Sequence, residues 1–377
     1  MQRGWPVVAW TSGCGAKGSW MDVQRTFYRE DHELFRTAVR RFLERDYLPR
    51  QEAHAPLERQ LWLKAGREGL LCVTLPAQFG GGGDFGHAAI ICEEFARAGI
   101  HERVMALHSQ TIAPCIASLA DEQQQQRWLP GICSGQTLLA LAVSSAHGEG
   151  AWPPLAVRDG NDWLINGSTC AVGNGGDFDL LLLACQTVNV DGSTGLSLIM
   201  VERTCAGVHR TPDAPACGDA EGVALSLADV RVPFSHLLGD VGGGQAYLDA
   251  ALSQEHLLSA IFSAAYLERL VDLSLDQAKW ADDQGQRSWD RQDTRHQLAD
   301  IKARAVALRL MVDHYLGAQL GRALTPGQVA IAAVFARQTL NSCVGHLRPQ
   351  IDDKPFAAGL MPGPAQWPLH EFIADAM

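Results

Sequence analysis

The hydrophobic pattern of this 377-residue chain changes period twice, and the order of those periods strongly limits the folds that it can adopt. From about residue 23 to 127, apolar residues recur at helical spacing. From about 136 the period is two, in short runs separated by turn-forming Gly, Asn and Asp. Long helical patterns return after the three glycines at 242–244. The chain is therefore predicted to form helices, then a β block, then a bundle of long helices.

The first block contains several predicted helices. Leu34, Val39 and Phe42 share one stripe, which indicates an amphipathic helix. Asp121 has the position of an N-cap, and the glycine run 80–83 is interpreted as a helix-entry turn because no strand precedes it and no Lys-Ser/Thr pair follows it. Further helices are predicted at 87–98, 103–120 and 122–129.

The β block consists of five short apolar or alternating runs. They lie at 138–143, 163–165, 180–185, 196–201 and 223–227. Turn sequences separate them at 159–161, 174–176 and 191–193. Strands at this spacing predict a small antiparallel barrel or sandwich.

The resulting fold class is mainly α with a central β domain. Long helices are predicted at 246–284, 296–320 and 328–347, and a last short helix at 370–376. The predicted domains are a loose extension at 1–24, an N-terminal helical domain at 25–135, a middle β domain at 136–238 and a C-terminal helical bundle at 239–377.

Composition and charge exclude several classes of function. With 31 Lys and Arg against 42 Asp and Glu, the net charge is −11, and the absence of a dense basic run disfavours nucleic acid as a partner. The longest apolar runs fall far short of the ~20 residues of a membrane span. Ten cysteines show no CxxC pair, so they are interpreted as core residues in a reducing compartment, and a cytoplasmic location is predicted. No metal site is predicted, because His101 and His108 have no accompanying carboxylate and His set.

Several local strings, in order, resemble the acyl-CoA dehydrogenase family of flavoenzymes. They are LPAQFGGGG at 75–83, CEEF at 92–95, QRWLPGICSG at 126–135, DGNDWLING at 159–167 and LADVRVP at 227–233. The resemblance runs from about residue 27 to 341. It implies an acyl-CoA dehydrogenase-like fold with an N-terminal helical domain, a middle β-barrel or sandwich and a C-terminal four-helix bundle. It also implies a homodimer, a homotetramer or a hetero-oligomer with another family member.

The chemistry implied by the resemblance is FAD-dependent α,β-dehydrogenation of an acyl thioester, with CoA or a carrier protein as the thiol component. A carboxylate removes the α-proton while the β-hydride passes to the flavin. In the long-chain and isovaleryl subgroup the base stands in a Glu-Arg-Leu string, and Glu255, followed here by His256, matches that position. Leu252, Leu258 and Phe262 share its helical stripe, which places the carboxylate in an apolar face. The alternative is an ordinary Glu at a helix seam, paired to Arg269 or Arg304.

Three neighbouring features complete this interpretation. Glu268 lies in a second Glu-Arg-Leu string and is interpreted as a solvated residue. The floor of the acyl slot is expected on the bundle and on the helix at 103–120. His147 lies in a glycine-rich loop and is interpreted as a local hydrogen-bond partner.

The resemblance also locates the flavin-binding segments. The first is 143–150, where a hydroxyl could reach the flavin and a glycine allows close backbone approach; the second is 171–173. The candidate cofactor-binding residues are Val143, Ser144, Gly148, Ala171, Val172 and Gly173.

The flavin segments at 143–150 and 171–173 depart from the family pattern, and so does a third string, in the helical bundle. The string that reaches a neighbouring subunit's FAD pyrophosphate aligns with 281–285, where Asp282 and Asp283 place negative charge beside the phosphates. Three alternatives follow. Another chain could supply the contacts to FAD that this chain lacks. The chain could have divergent chemistry on the same scaffold, such as a carrier-protein thioester or a flavin-dependent oxygenase reaction. The chain could also be a flavin-free partner subunit.

Overall fold

The computed structural model describes most of the chain outside its two ends. The described residues are 25–52, 58–100, 104–144, 153–172, 177–188, 192, 194–211, 223–281, 285–321 and 324–347. The predicted extension at 1–24 and the predicted helix at 370–376 lie outside these residues. The order of elements is helices, then strands, then long helices, and this confirms the predicted fold class.

The described part of the first helical region contains seven α-helices. They are α1 (Glu30–Phe42), α2 (Leu48–Glu52), α3 (Arg59–Arg67), α4 (Phe85–Ala98), α5 (Val104–Ala106), α6 (Ala113–Leu119) and α7 (Glu122–Cys133). Asp121 caps α7 as predicted, since its carboxylate accepts from the backbone N–H of Gln124 at 2.8 Å. The predicted stripe on α1 is partly wrong: Val39 and Phe42 are fully buried, but Leu34 is 68% exposed. His32 and Arg36 take its place on the buried face.

Two π-helical segments interrupt this region. One joins α1 to α2 (Leu43–Tyr47) and the other joins α5 to α6 (Leu107–Ile112). Pro49 and Pro114 follow them closely. A proline lacks the N–H for a normal helical bond and its ring crowds the carbonyl four residues earlier, which favours a widened turn just before it. The predicted helix at 103–120 is therefore three consecutive helical pieces.

The middle region is one eight-stranded sheet in the described residues. The strands are β1 (Leu139–Ser144), β2 (Leu155–Asp159), β3 (Asp162–Val172), β4 (Leu180–Val188), β5 (Thr194–Glu202), β6 (Val208–Arg210), β7 (Val223–Pro233) and β8 (Leu237–Leu238). Their order is β6-β7-β3-β1-β4-β5-β8, and β2 pairs with both β3 and β4. The prediction of a wholly antiparallel sheet is wrong, because β4 runs parallel to β1 and to β2. A period of two does not report strand direction.

Alternate residues of the central strands face two different cores. On β1 and β4, Leu139 and Leu182 pack into a large cluster shared with the helices. Ala140 and Leu183, one position later on each strand, pack into a smaller cluster inside the β region. The sheet is therefore buried on both faces at its centre.

Three long helices follow the sheet: α8 (Gly244–Lys279), α9 (Gln292–Leu320) and α10 (Pro326–Leu347). Helix α8 packs against both α4 and α10, so it lies between the first helical region and the rest of the bundle. Their apolar side chains belong to the same large cluster as those of the first helices. The two helical regions thus share one core, although the β block separates them in sequence.

A buried ion cluster joins the first helices to the bundle. Its centre is Glu93 on α4, which is fully buried and accepts from Arg25 at 2.5 Å, Arg36 at 2.8 Å and Arg309 of α9 at 3.2 Å. Arg309 also makes two hydrogen bonds to Glu268 of α8, at 2.6 and 2.7 Å. The prediction that Glu268 is solvated is therefore wrong, because a buried arginine from the next helix occupies that face.

The cysteines follow their prediction with one exception. Of the cysteines that the structure describes, seven are free, and all but the half-buried Cys205 are buried. Cys170 in β3 is instead disulfide-bonded, which contradicts the expectation of free thiols throughout. Spacing in the sequence carried no signal of this bond, since pairing cannot be deduced from spacing alone. Across the described ranges, no helix is both long enough and apolar enough to cross a membrane.

Candidate functional site

A small apolar cavity lies between the first helical region and α8. Its volume is about 30 Å³. The walls include Phe42 of α1, Phe95 of α4 and Met105 of α5, with Leu258 and Phe262 of α8 opposite. The cavity is therefore lined by the bundle and by the region at 103–120, where the floor of the acyl slot was expected.

Glu255 lies at the start of this lined stretch of α8. Its side chain is buried, with the residue 7% exposed, and it stands one turn before Leu258 on the same helix. Three residues correspond to about 4.5 Å along a helix axis. The carboxylate is therefore placed on the apolar face that leads to the cavity. Of the two arginines considered as partners, Arg304 pairs instead with Asp300, at 3.0 Å on the surface.

His256, the residue after Glu255, belongs to a different face of α8. It lines a second cavity, of about 420 Å³, together with Ser253 of α8 and Val329 of α10. Consecutive residues point about 100° apart around a helix, so the two side chains point in different directions. The change from Arg to His at 256 therefore does not alter the face that carries Glu255.

The strand ends that carry the predicted flavin segments lie side by side. In the antiparallel pair of β1 and β3, Ser144 stands opposite Cys170 and Leu141 opposite Val172. Val143 is half-buried and packs against the core shared with the helices, so this end of β1 faces the helical side. Ala171 is 1% exposed and packs into the core of the β region, so its side chain is not available to a cofactor and only its backbone could contribute. Gly148 and Gly173 lie outside the described residues.

The loop between α8 and α9 is the predicted contact to a neighbouring FAD. Asp282 and Asp283 lie outside the described residues. Gly285 is exposed with φ +77°, in the left-handed region that glycine adopts most readily, and Ala281 forms a bridge with Arg287 across the loop. The two sides of the loop are therefore held together at Ala281 and Arg287.

A cluster of Asp31, His32 and His87 has atoms close enough to surround a metal ion. Each histidine already accepts a backbone N–H: Nδ1 of His32 from Arg29 at 3.1 Å, and Nδ1 of His87 from Asp84 at 3.2 Å. The Arg29 guanidinium also bonds to Asp31 of the cluster and to the adjacent Asp84, so a positive charge already stands beside these carboxylates. The arrangement is that of two helix N-terminal capping boxes.

The polar wall of the small cavity was not predicted. His108, Ser109, Gln110 and Thr111 follow one another in the π-helical segment, and all four are buried. Ser109 and Gln110 line the cavity. The available signal was the run of four polar residues inside an otherwise apolar helical pattern, just before Pro114.

Comparison with known proteins agrees with this architecture. The family model for "Acyl-CoA dehydrogenase, N-terminal domain" matches residues 29–136, and that for "Acyl-CoA dehydrogenase, C-terminal domain" matches 242–348. The mitochondrial long-chain specific acyl-CoA dehydrogenase of Sus scrofa is 30% identical over 332 residues, which cover 84% of this chain and 76% of the relative.

Solved structures give the same result. The acyl-CoA dehydrogenase of Geobacillus kaustophilus has a TM-score of 0.83 at 26% identity and covers 93% of this chain and 98% of its own. A glutaryl-CoA dehydrogenase of Mycobacterium smegmatis in complex with FADH2 has a TM-score of 0.82 at 17% identity, with coverage of 94% and 96%, and supports the fold alone. With both family domains matched in order, this chain belongs to the acyl-CoA dehydrogenase family of oxidoreductases.

Proposed function

We propose that this chain catalyses FAD-dependent α,β-dehydrogenation of an acyl thioester, with Glu255 as the base that removes the α-proton. The observation that carries the proposal is the buried carboxylate of Glu255 on α8, one turn from the apolar cavity. A base in an apolar slot meets little competition from water for the α-proton, and a positioned base contributes about 10²–10⁴-fold to rate.

The acyl group would lie with its α-carbon beside Glu255 and its chain directed along α8 towards Leu258 and Phe262. The phenylalanines of the cavity would exclude water from the chain and hold it by dispersion contacts. The thiol component would be CoA or a carrier protein, as the resemblance implies.

The described residues fit a flavin at the paired ends of β1 and β3. The pairing of these two strand ends supports the proposal, with the small side chain of Ala171 turned inward and Val143 on the helical side. Val143, Ser144 and the backbone at 171–172 would hold the flavin; Gly148 and Gly173, outside the described residues, stay candidates from the sequence. FAD, when bound there, would supply the hydride acceptor. Membership of the acyl-CoA dehydrogenase family supports this choice of cofactor.

The first test is the visible absorption spectrum of the purified protein before and after addition of FAD. We expect a stoichiometric oxidised-flavin band that bleaches anaerobically with an acyl-CoA thioester. A protein that stays colourless in excess FAD would exclude the dehydrogenase activity for this chain alone and would favour a flavin-free partner subunit. A band that reoxidises in air with product hydroxylation would favour the oxygenase alternative.

The second test addresses the base. Glu255→Gln should keep the flavin band and thioester binding but slow the bleaching by about 10²–10⁴-fold. Asp249→Asn is the matched control, because Asp249 lies on the same helix but lines the other cavity. Bleaching by Glu255→Gln at the wild-type rate would show that another group removes the proton.

A further inference from the structure

The small cavity contains one polar group that its surroundings do not satisfy. The Ser109 hydroxyl oxygen is buried and has no hydrogen-bond partner. Burial raises the pKa of the neighbouring Cys72 thiol, and Ser109 is close enough to counteract this in part, but the two do not reach hydrogen-bond geometry. A buried hydroxyl without a partner is uncommon in native proteins, and it indicates a ligand, a water molecule or strain.

The neighbouring amide of Gln110 is held in place. Its Oε1 accepts from the Cys92 thiol at 3.3 Å and its Nε2 donates to the carbonyl of Ala88 at 3.3 Å. An amide nitrogen carries two hydrogens, so one donor of Gln110 stays available beside Ser109. The two residues form a short polar strip on an otherwise apolar wall.

The backbone that carries this strip is itself unusual. Ser109 and Gln110 lie in the π-helical segment Leu107–Ile112, whose widened turn places consecutive polar side chains in the interior. Such segments cost stability and occur frequently at functional sites. Both ring nitrogens of the preceding residue, His108, have hydrogen-bond partners, the carbonyl of Ile132 at 3.1 Å and the N–H of Leu139 at 3.2 Å, so its burial is compensated. Ser109 lies beside the Cys72 thiol but, unlike His108, makes no hydrogen bond to the backbone.

We propose that the cavity takes the end of a short acyl chain that carries a hydroxyl or carbonyl oxygen, and that Ser109 donates a hydrogen bond to that oxygen. This inference rests on the proposed dehydrogenase function and narrows its substrate class. The volume of about 30 Å³ leaves room for only about two water-sized groups, which limits the chain. Leu258, the first residue of α8 that lines the cavity, follows Glu255 by one turn, so the cavity would take the part of the chain beyond the reacting carbons.

The test compares saturated short-chain acyl-CoA thioesters with the same chains that bear a hydroxyl group at the end. Binding is measured by calorimetry and oxidation by flavin bleaching, for the wild type and for Ser109→Ala. We expect the wild type to prefer the hydroxylated thioesters by about tenfold, in affinity and in kcat/KM. Ser109→Ala should lose this preference and bind the unsubstituted chains at least as well as the wild type.

Ser118→Ala is the matched control, because Ser118 is a serine of the following helix that donates to its own backbone, at the carbonyl of Cys115. It should keep the wild-type preference. Equal binding of both thioester series by the wild type would overturn the inference, as would an equal effect of Ser109→Ala on both, which is the result expected if the cavity holds only a structural water. A preference in binding without any bleaching would support the inference and contradict the dehydrogenase function.

Discussion

Replacement of Glu93 by Gln tests whether the buried ion cluster holds the two helical regions together. Burial by itself would raise the pKa of Glu93, but the charges of the surrounding arginines, Arg25 first, hold that pKa well below its ordinary value. The carboxylate is therefore ionised at neutral pH and compensates several guanidinium groups at once. The amide that replaces it has no charge and can accept at one oxygen only.

The cost follows from what the change leaves behind. Arg36 and Arg309 have side chains only 7% and 3% exposed, so water cannot replace the lost carboxylate. Removal of one partner from a buried pair typically costs 3–5 kcal/mol. Arg36 keeps Glu94 and Arg309 keeps Glu268, but both buried cations lose the carboxylate that they share, so the lower end of this range applies. We expect Glu93→Gln to lower the free energy of unfolding by about this amount.

Urea denaturation followed by circular dichroism measures the change, with Glu33→Gln as the matched control. Glu33 bonds to the same Arg36, at 3.0 Å, but its side chain is 56% exposed. An exposed pair contributes about 0–1 kcal/mol, so the control should stay close to the wild type. Two results would refute the reasoning: a Glu93→Gln protein within about 1 kcal/mol of the wild type, or equal losses in the two variants.

Three further predictions concern a buried histidine and two glycines. Burial lowers the pKa of His108 to about 4. As the pH falls from 7 to 5, the unfolded chain therefore binds a proton at this residue that the folded protein does not, and the free energy of unfolding should fall by about 2 kcal/mol. His108→Gln should remove this part of the pH dependence, as measured by urea denaturation at each pH. Gly81→Ala should destabilise the protein by several kcal/mol, because a Cβ there would meet the carbonyl oxygen of Leu75 at 2.0 Å. Gly345→Ala on α10, where no atom lies within 4 Å of the added Cβ, should raise the free energy of unfolding by about 0.5–1 kcal/mol in urea denaturation. A lower free energy of unfolding for Gly345→Ala would contradict this account.

Much of the fold could be predicted because it depends on local patterns. Period changes located the helices and most strands, and the turn at 159–161 joins β2 to β3 as a hairpin in which Asp159 pairs with Asp162. The parallel pairing of β1 with β4 could not be predicted, since it depends on which strands meet and not on their own sequence. The π-helical segments also escaped prediction, because a helical period looks the same when one turn is widened.

The site was less predictable than the fold. The place of Glu255 on a buried helical face follows from its apolar neighbours at helical spacing, and the structure has it there; its role as the base stays a prediction. The partner of Glu268 could not be found in this way, because Arg309 lies 41 residues away and reaches it only when α8 and α9 pack. The unsatisfied hydroxyl of Ser109 is a property of its surroundings and is not visible in any local pattern.

The shared core of the two helical regions has a consequence for folding during synthesis on the ribosome. Helix α4 is buried largely by α8, yet the whole sheet is synthesised between them. Until α8 has left the exit tunnel, Ile91 and Phe95 of α4 have no bundle to pack against, and Glu93 lacks Arg309. The nascent chain therefore carries an exposed apolar helix for more than a hundred residues of translation, and its first half cannot complete folding before its last third arrives.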